Sequence, residues 1–147
     1  KHIYTAADKL HHEKGERNMS LTEQKKAEWE KTLRDAALIG PADTIQEHTK
    51  GDFWDLTSQI SGNYFFTTEK FVFVSGGLIG KVSFSIPYNK ITELKLCNIG
   101  GLIPLIPTGI KVTYTDENGK NVKKKCSVMK RKQWIEYLQK KSGVSSN

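Results

Sequence analysis

The sequence predicts an α+β fold in which seven short antiparallel strands form a barrel-like sheet and a C-terminal helix covers an open end. Apolar and polar residues alternate in several short runs between Asp43 and Val128, which is the period of a half-buried strand. Turn signals separate these runs, including the Asn118-Gly119 dipeptide that is typical of a hairpin. A single amphipathic segment follows the last run, so the strands come first and the closing helix comes last.

The chain divides into three parts by pattern. Residues 1–40 form an N-terminal helical extension, residues 41–143 form the domain, and residues 144–147 form a short tail. The boundary lies where a helical period gives way to a period of two. The extension therefore needs its own explanation, separate from the sheet.

The helix of the extension is predicted over Ser20–Ile39. Ser20 and Glu23 make a capping box at its start, and Gly40-Pro41 is expected to end it. Trp29 and Leu33 belong to one narrow apolar stripe on an otherwise charged surface. Such a helix lies against something, which is either the domain itself or a second copy of the chain.

The predicted strands follow the alternation and its breaks. A long connection, Lys50–Gly62, separates the first strand from an aromatic hairpin that turns at Thr68-Glu69. The strands are Asp43–Thr49, the two arms within Asn63–Val74, Val82–Pro87, Ile91–Leu96, Ile110–Thr115 and Asn121–Val128. The final helix has Trp134, Ile135 and Leu138 on one face and is expected to end at Gly143.

The positive charge is concentrated near the C-terminus. The net charge is +7, and residues 110–147 hold 10 basic and 3 acidic side chains. Lys123 and Lys125 are expected on one strand face, and Lys130, Arg131 and Lys132 begin the last helix, where cations oppose the helix dipole. This pattern favours contact with an anionic membrane surface or an acidic protein; the alternative is a solvated face that aids solubility.

A second candidate contact is the apolar connection Gly101–Ile110. Leu102, Ile103, Leu105 and Ile106 lie in a segment between strands, where polar residues are usual. The segment either folds over the barrel end and completes the core, or forms a contact with another subunit or with a membrane.

Enzymatic activity, cofactors and metals are not expected. The sequence has no GxSxG, HExxH, GxxxxGK[ST] or GxGxxG motif. The segment His11–Glu13 is too weak a ligand set to predict a metal site. Cys97 and Cys126 lack metal-ligand spacing and are expected to be free thiols, because another strand is predicted between them.

Composition also limits the partners and the location. No apolar run reaches the length of about 20 residues needed to cross a bilayer, and no apolar signal segment begins the chain. A cytoplasmic protein is expected, with peripheral contact to the membrane as an option. Nucleic acid is not an expected partner, because Trp134 beside the basic residues is expected in the core rather than stacked on bases.

Four stretches of the sequence resemble one known family. They are "GNYFFTTEKFVFVS", "FSIPYNKI", "IKVTYTDENGK" and "RKQWIEYLQK", and together they are similar to the pleckstrin-homology (PH) superfold, closest to its GRAM and bacterial PH-like branch. The resemblance covers about Ala42 to Gly143. The positions that match the family pattern are Thr67, Lys70, Phe73, Ile86-Pro87, Ile91 and Trp134, while Thr68-Glu69 departs from it.

The resemblance implies a binding module. Domains of this type often bind phosphoinositide headgroups with basic side chains near the loop that joins the first two strands. Here Lys50 is opposed by Asp52 and Asp55, so that pocket is not expected. The leading hypothesis is therefore a non-catalytic binding or scaffold module with an anionic contact through the C-terminal basic residues. The alternative is a protein–protein or self-association module that uses the N-terminal helix and the apolar connection.

Overall fold

The structure, a computed structural model, describes residues 21–56, 58–76, 82–100 and 103–145. Within these ranges it contains two α-helices, α1 (Glu23–Asp35) and α2 (Arg131–Ser142). It contains seven strands, β1 (Ile45–Asp55), β2 (Ser58–Thr67), β3 (Lys70–Ser75), β4 (Ser83–Pro87), β5 (Ile91–Ile99), β6 (Ile106–Thr115) and β7 (Asn121–Val128). The predicted α+β class, with its antiparallel sheet and terminal helix, is confirmed.

The seven strands form one strongly curved sheet in the order β4-β3-β2-β1-β7-β6-β5. Flat, such a sheet would hold its two edge strands roughly 29 Å apart at about 4.8 Å per strand. The edges β4 and β5 are joined by a single 3-10 turn, Tyr88–Lys90, which spans about 10 Å at most. Because this link is short, the sheet must bend until its edges approach each other, and both edge strands contribute to the same core.

Aromatic side chains fill the inside of the curved sheet. Tyr64 and Phe66 of β2 face Phe71 and Phe73 of β3, and all four are buried. Trp134 of α2 stacks on Phe66 with ring centroids 4.6 Å apart. Helix α2 therefore closes the end of the barrel with the apolar face that the sequence predicts, and its end at Gly143 is also as predicted.

Helix α1 covers the outer face of the same hairpin. Phe65, Val72 and Val74 point away from the barrel interior and are fully buried against this helix and the turn that follows it. Leu33 is also fully buried, and the ring of Trp29 lies 4.7 Å from that of Phe65. The apolar stripe of α1 could have faced either the domain itself or a second copy of the chain, and it packs against its own domain.

The start of α1 differs from the prediction. Its N-cap is Thr22, whose side-chain oxygen accepts a hydrogen bond from the backbone N–H of Lys25 at 3.2 Å. Glu23 is thus the first helical residue rather than the third. Ser20, the predicted cap, lies outside the described residues. Two residues of similar capping strength stand close together in "SLTE", and the sequence does not decide between them.

The end of α1 also comes earlier than predicted. The helix stops at Asp35, and Ala37 adopts a left-handed backbone with a φ of 59°. Gly40-Pro41 therefore does not end the helix. The early stop turns the chain so that Ile39 packs into the outer apolar cluster beside Leu33. Tertiary packing overrides the local stop signal.

The predicted connection Lys50–Gly62 is wrong, because most of it is strand. β1 continues to Asp55, β2 begins at Ser58, and Gly51 pairs directly with Gly62. A Cβ at Gly51 would lie 2.9 Å from the Tyr64 ring, and one at Gly62 would lie 2.7 Å from the Phe73 ring. Backbone carbonyl oxygens of Ser127 and Val74 approach even closer, so these glycines permit close packing within the sheet rather than a turn.

Truncation of Leu33 tests the packing of α1. Leu33→Ala removes a fully buried side chain from the outer cluster, so we expect a loss of about 2–5 kcal/mol in the free energy of unfolding. The exposed Gln24 on the same helix provides the control, since Gln24→Ala should leave stability nearly unchanged. Urea unfolding followed by circular dichroism measures both. Equal stability of the two variants would contradict the packing described here.

Candidate basic interface

The five predicted basic residues lie on two neighbouring parts of the structure. Lys123 and Lys125 are exposed on the outer face of β7, as their alternation predicts. Lys130, Arg131 and Lys132 lie where β7 turns into α2. Cations at the start of a helix interact unfavourably with the helix dipole. The first turn of α2 holds no acidic residue that would offset this effect.

The strand register aligns Lys125 with two further lysines. Lys95 of β5 pairs with Lys111 of β6, and Lys111 pairs with Lys125 of β7. On the other side, Lys125 pairs with Trp54 of β1. We call Lys95, Lys111 and Lys125 the lysine row; it crosses three adjacent strands on the outer face and ends beside a half-buried tryptophan.

Lys95, Lys111 and Trp54 were not among the residues predicted to form a contact. Both lysines occur at outward positions of the alternating runs, so their orientation was available from the pattern. Their alignment was not available, because register shifts flank the paired stretch of β5 and β6. Trp54 was assigned to a connection, whereas it belongs to β1 and pairs across to β7.

Few acidic side chains compensate the positive charge of the lysine row. Lys95 forms an ion pair with Glu93 at 3.5 Å. In the described part of the chain, neither Lys111 nor Lys125 has an ion-pair partner. Like charges directly opposite each other on adjacent strands destabilise a sheet by roughly 0.2–1 kcal/mol per pair, with salt screening the effect. The row is thus unfavourable in the isolated protein.

Arg131 has a structural role in addition to its charge. One nitrogen of its guanidinium, Nη1, donates to the carbonyl oxygens of Cys97 at 2.8 Å and Gly109 at 3.4 Å. These contacts tie the start of α2 to the ends of β5 and β6. The preceding residue, Lys130, adopts a left-handed backbone with a φ of 55°, which makes the sharp turn from strand to helix possible.

The two cysteines are free thiols in different environments. Cys126 is buried inside the barrel, and burial raises the pKa of its thiol to about 12. Burial also raises the pKa of the half-buried Cys97, against the opposing effect of Lys125, Lys111 and Arg131. β6 lies between the strands that carry the two cysteines, as the sequence predicts. Cys97 therefore lies within the electrostatic reach of the basic side chains.

The apolar connection is shorter than predicted but is exposed. β5 continues to Ile99 and β6 begins at Ile106, which pairs with Ile99 and is therefore a strand residue. Ile103 and Leu105 are 72% and 73% exposed, and Ile106 is also exposed. Leu102 lies outside the described residues. We call Ile103, Leu105 and Ile106 the apolar tip; these described side chains do not complete the core.

Met129, in the turn that follows β7, adds an exposed apolar side chain at the same end of the sheet as the apolar tip. It lies two residues beyond Ser127, which pairs with Gly109 of β6, and it is 76% exposed. Lys130, Arg131 and Lys132 follow it in sequence, so apolar and basic side chains occur together at this end of the sheet. Met129 was not among the predicted contact residues, because a position in a turn gives no periodic signal.

Lys124 faces the inside of the barrel, as its alternation predicts. Its ammonium lies 5.2 Å from the centroid of the Phe53 ring and 5.3 Å from that of Phe84. An inward-facing lysine would be costly without a partner, and here the two aromatic rings supply a cation–π contact. The register of β6 with β7 is uninterrupted, so no bulge turns Lys124 outward. Lys124 therefore does not belong to the outer basic surface.

The turn of the β1–β2 hairpin lies at the end of the barrel opposite the apolar tip, and the described residues around it do not form a basic cluster. Leu56 at its turn is 92% exposed, and the flanking residues include Asp52 and Asp55. A separate groove of about 420 Å³ lies between the end of β4 and the β6–β7 turn. Lys70, Lys90, Asp116, Glu117 and uncharged neighbours line this groove, so it does not favour one sign of charge.

The described residues also bear on metal binding and on membrane spans. Among the described residues no group of three or more His, Cys, Asp or Glu side chains is placed to hold a metal ion. The segment His11–Glu13 lies outside those residues. In the same part of the chain, neither helix has the length and apolar character that crossing a bilayer requires.

No protein-family model and no curated protein matches the sequence. Solved structures provide a comparison of the fold. The chain is similar to the C-terminal domain of an unknown protein from Leishmania infantum, with a TM-score of 0.57 and 16% identity over 79% of this chain and 95% of that one.

A second structure gives the same TM-score at lower identity. It is the hSac2 domain from the human phosphoinositide phosphatase Sac2, with a TM-score of 0.57 and 8% identity over 87% of this chain and 92% of that one. At these identities both comparisons show a shared fold and nothing about activity.

Removal of the central charge from the lysine row should stabilise the protein. Lys111→Gln relieves repulsion from both neighbours, so at low ionic strength we expect a gain of about 0.5–1 kcal/mol in the free energy of unfolding. Lys120→Gln, an equal charge change in the exposed β6–β7 turn, serves as the control and should have a smaller effect. Urea unfolding at low and high salt measures both. A gain for Lys111→Gln that persists at high salt would argue against an electrostatic cause.

Proposed function

We propose that this chain is a non-catalytic binding module of the PH/GRAM-like type that contacts an anionic membrane surface with its apolar tip and the adjacent basic residues. One observation carries the proposal: exposed apolar side chains and basic residues occur at the same end of the sheet. Ile103 and Leu105 are largely exposed between β5 and β6, and Met129 and Lys132 follow β7 at that end. The curved sheet closed by α2 supports the family resemblance.

The energetics require both components of this surface. Burial of an exposed leucine or isoleucine contributes about 1.5–3 kcal/mol, and a side chain that inserts only part way contributes less. Each lysine or arginine near an anionic surface adds about 1 kcal/mol. Because a single weak signal gives only marginal binding, a stable peripheral contact needs apolar and electrostatic terms together.

The chemistry of the groove between β4 and the β6–β7 turn favours binding over catalysis. Ser85 is a hydroxyl in its lining, and its Oγ donates a hydrogen bond to the carbonyl of Leu38 at 2.6 Å. The remaining polar groups there include two lysines and two carboxylates rather than a histidine beside a nucleophile. This arrangement does not provide an activated nucleophile of the usual kind.

The proposed location is the cytoplasmic face of a membrane. The anionic lipids that attract lysine and arginine are concentrated in the cytoplasmic leaflet. Two free thiols, one of them buried, agree with a reducing compartment.

Co-sedimentation with vesicles tests the proposal. The unmodified protein should bind vesicles that contain phosphatidylserine better than vesicles of phosphatidylcholine alone, and high salt should weaken binding. The double variant Ile103→Ser with Leu105→Ser removes the apolar contribution, so we expect its binding to fall by about tenfold or more.

Leu56 provides a matched control at the other end of the barrel. It is an exposed apolar side chain, so Leu56→Ser changes surface hydrophobicity without touching the proposed contact. This control should bind as the unmodified protein does. Equal binding to anionic and neutral vesicles, or an equal loss in Leu56→Ser and the double variant, would overturn the membrane proposal.

Self-association remains a second candidate because the apolar tip is exposed. The apolar side of α1 is buried against the sheet, so the tip is the stronger of the two elements for such a contact. Sedimentation analysis of the intact chain distinguishes this function. A dimer that dissociates in the Ile103→Ser, Leu105→Ser variant would favour self-association, whereas a monomer at all concentrations would exclude it.

A further inference from the structure

We propose that the outer face of β5, β6 and β7, centred on the lysine row, is a docking surface for an acidic segment of a partner protein. This surface is separate from the apolar tip. It would give the module two contacts, one with the membrane and one with a protein, which is the arrangement that a scaffold needs.

The two halves of the sheet differ in how their outer faces are covered. Helix α1 and the following turn bury Phe65, Val72 and Val74 on the half that contains β2 and β3. On the other half, Lys111 is half-buried, and Lys123 and Lys125 are exposed. Within the described ranges, α2 packs its apolar side chains into the barrel core rather than onto this outer face.

The charge of this face selects the chemistry of the partner. Lys111 and Lys125 are directly opposite each other and have no ion-pair partner in the described part of the chain. Lys123 stands two residues along the same face of β7. Carboxylates placed between these ammonium groups would convert repulsion into attraction, which makes an Asp- or Glu-rich segment the complementary ligand.

The dimensions of the row suit a short extended segment. Three strand intervals separate Lys95 from Trp54, which corresponds to roughly 14 Å. An extended peptide rises about 3.3 Å per residue, so about four or five residues cross the row. Carboxylates along such a segment would then lie within reach of the flexible lysine side chains.

Trp54 provides an apolar anchor at the end of the row. It is half-buried and pairs directly with Lys125, so part of its side chain is accessible beside the basic residues. Tryptophan is a residue type enriched among the energetically dominant contacts of protein interfaces. An acidic segment with an apolar residue at one end therefore fits better than a segment of uniform charge.

The lysine row and the apolar tip are far enough apart to act independently. Lys111 is five residues from Ile106 along β6, which is about 17 Å. The row projects from the flank of the sheet, whereas the tip lies at the end of the β5–β6 hairpin. A membrane at the tip therefore leaves the flank accessible.

Binding of a defined acidic peptide tests the proposal. The probe is a fluorescein-labelled peptide of alternating glutamate and serine that ends in leucine, and its glutamine counterpart is the uncharged control. Fluorescence anisotropy measures affinity for the full chain. The triple variant Lys95→Gln, Lys111→Gln and Lys125→Gln should lose about tenfold or more in affinity for the glutamate peptide.

A second triple variant separates the row from net charge. Lys90→Gln, Lys120→Gln and Lys140→Gln remove the same number of charges from exposed positions elsewhere. This variant should lose less than about twofold in affinity. Thermal unfolding of both triple variants checks that each is folded. Equal losses in the two variants would show attraction by net charge alone and would overturn the proposal.

Vesicle binding by the same variants keeps this proposal distinct from the proposed function. The row variant should still bind phosphatidylserine vesicles, and the Ile103→Ser, Leu105→Ser variant should still bind the peptide. Loss of vesicle binding in the row variant with no change in peptide affinity would assign the row to the membrane contact instead. If the Ile103→Ser, Leu105→Ser variant still binds vesicles as the unmodified protein does, the membrane proposal is overturned and the present one is left intact.

Cys97 provides an independent readout. It lies close to Lys111, Lys125 and Arg131, while Cys126 is buried. A bound peptide over the row should slow the reaction of Cys97 with a thiol reagent, and the peptide should not protect this thiol in the row variant. Unchanged reactivity of Cys97 in the presence of saturating peptide would contradict binding at this face.

Discussion

Burial of the β2–β3 hairpin on both faces is the constraint on which the rest of the structure depends. Its inner side chains, including Phe66, meet Trp134 from the far end of the chain. Its outer side chains, including Phe65, need the cover that α1 supplies. A hairpin this apolar would be exposed and prone to aggregation in an open sheet without the helix. The N-terminal helix buries the outer face of this strand pair. The curvature of the sheet and the closing helix bury its inner face.

This constraint divides the protein into a structural half and an accessible half. Helix α1 occupies the outer surface of β2 and β3. The outer surface of β5, β6 and β7 is therefore more accessible to another molecule. The short link between β4 and β5 bends the sheet and turns the second face away from the first. Arg131 then secures the junction by its hydrogen bonds to the carbonyls of Cys97 and Gly109.

Much of the fold follows from local pattern, whereas the alignment of residues in the candidate interface does not. Alternation locates the seven strands and Trp134, because a period of two and an apolar helical face are encoded residue by residue. The connection predicted over Lys50–Gly62 was wrong because Gly51 and Gly62 are required by close packing against atoms of other strands, not by a turn. Alignment of Lys95 with Lys111 depends on register, and that of Lys125 with Trp54 depends on pairing between distant strands. No local signal contains this information.

The contrast between α1 and the lysine row supports the proposal that the row serves binding rather than solubility. On α1, Lys31 lies 2.7 Å from Asp35, and Lys25 lies 3.8 Å from Glu28. A surface made only for solvation disperses its charges in this way, because mixed signs avoid repulsion. On β6 and β7 the chain instead keeps lysines opposite each other, although an uncharged residue at position 111 would relieve the strain. In the proposed complex, an acidic segment would supply the missing negative charge and make this arrangement favourable.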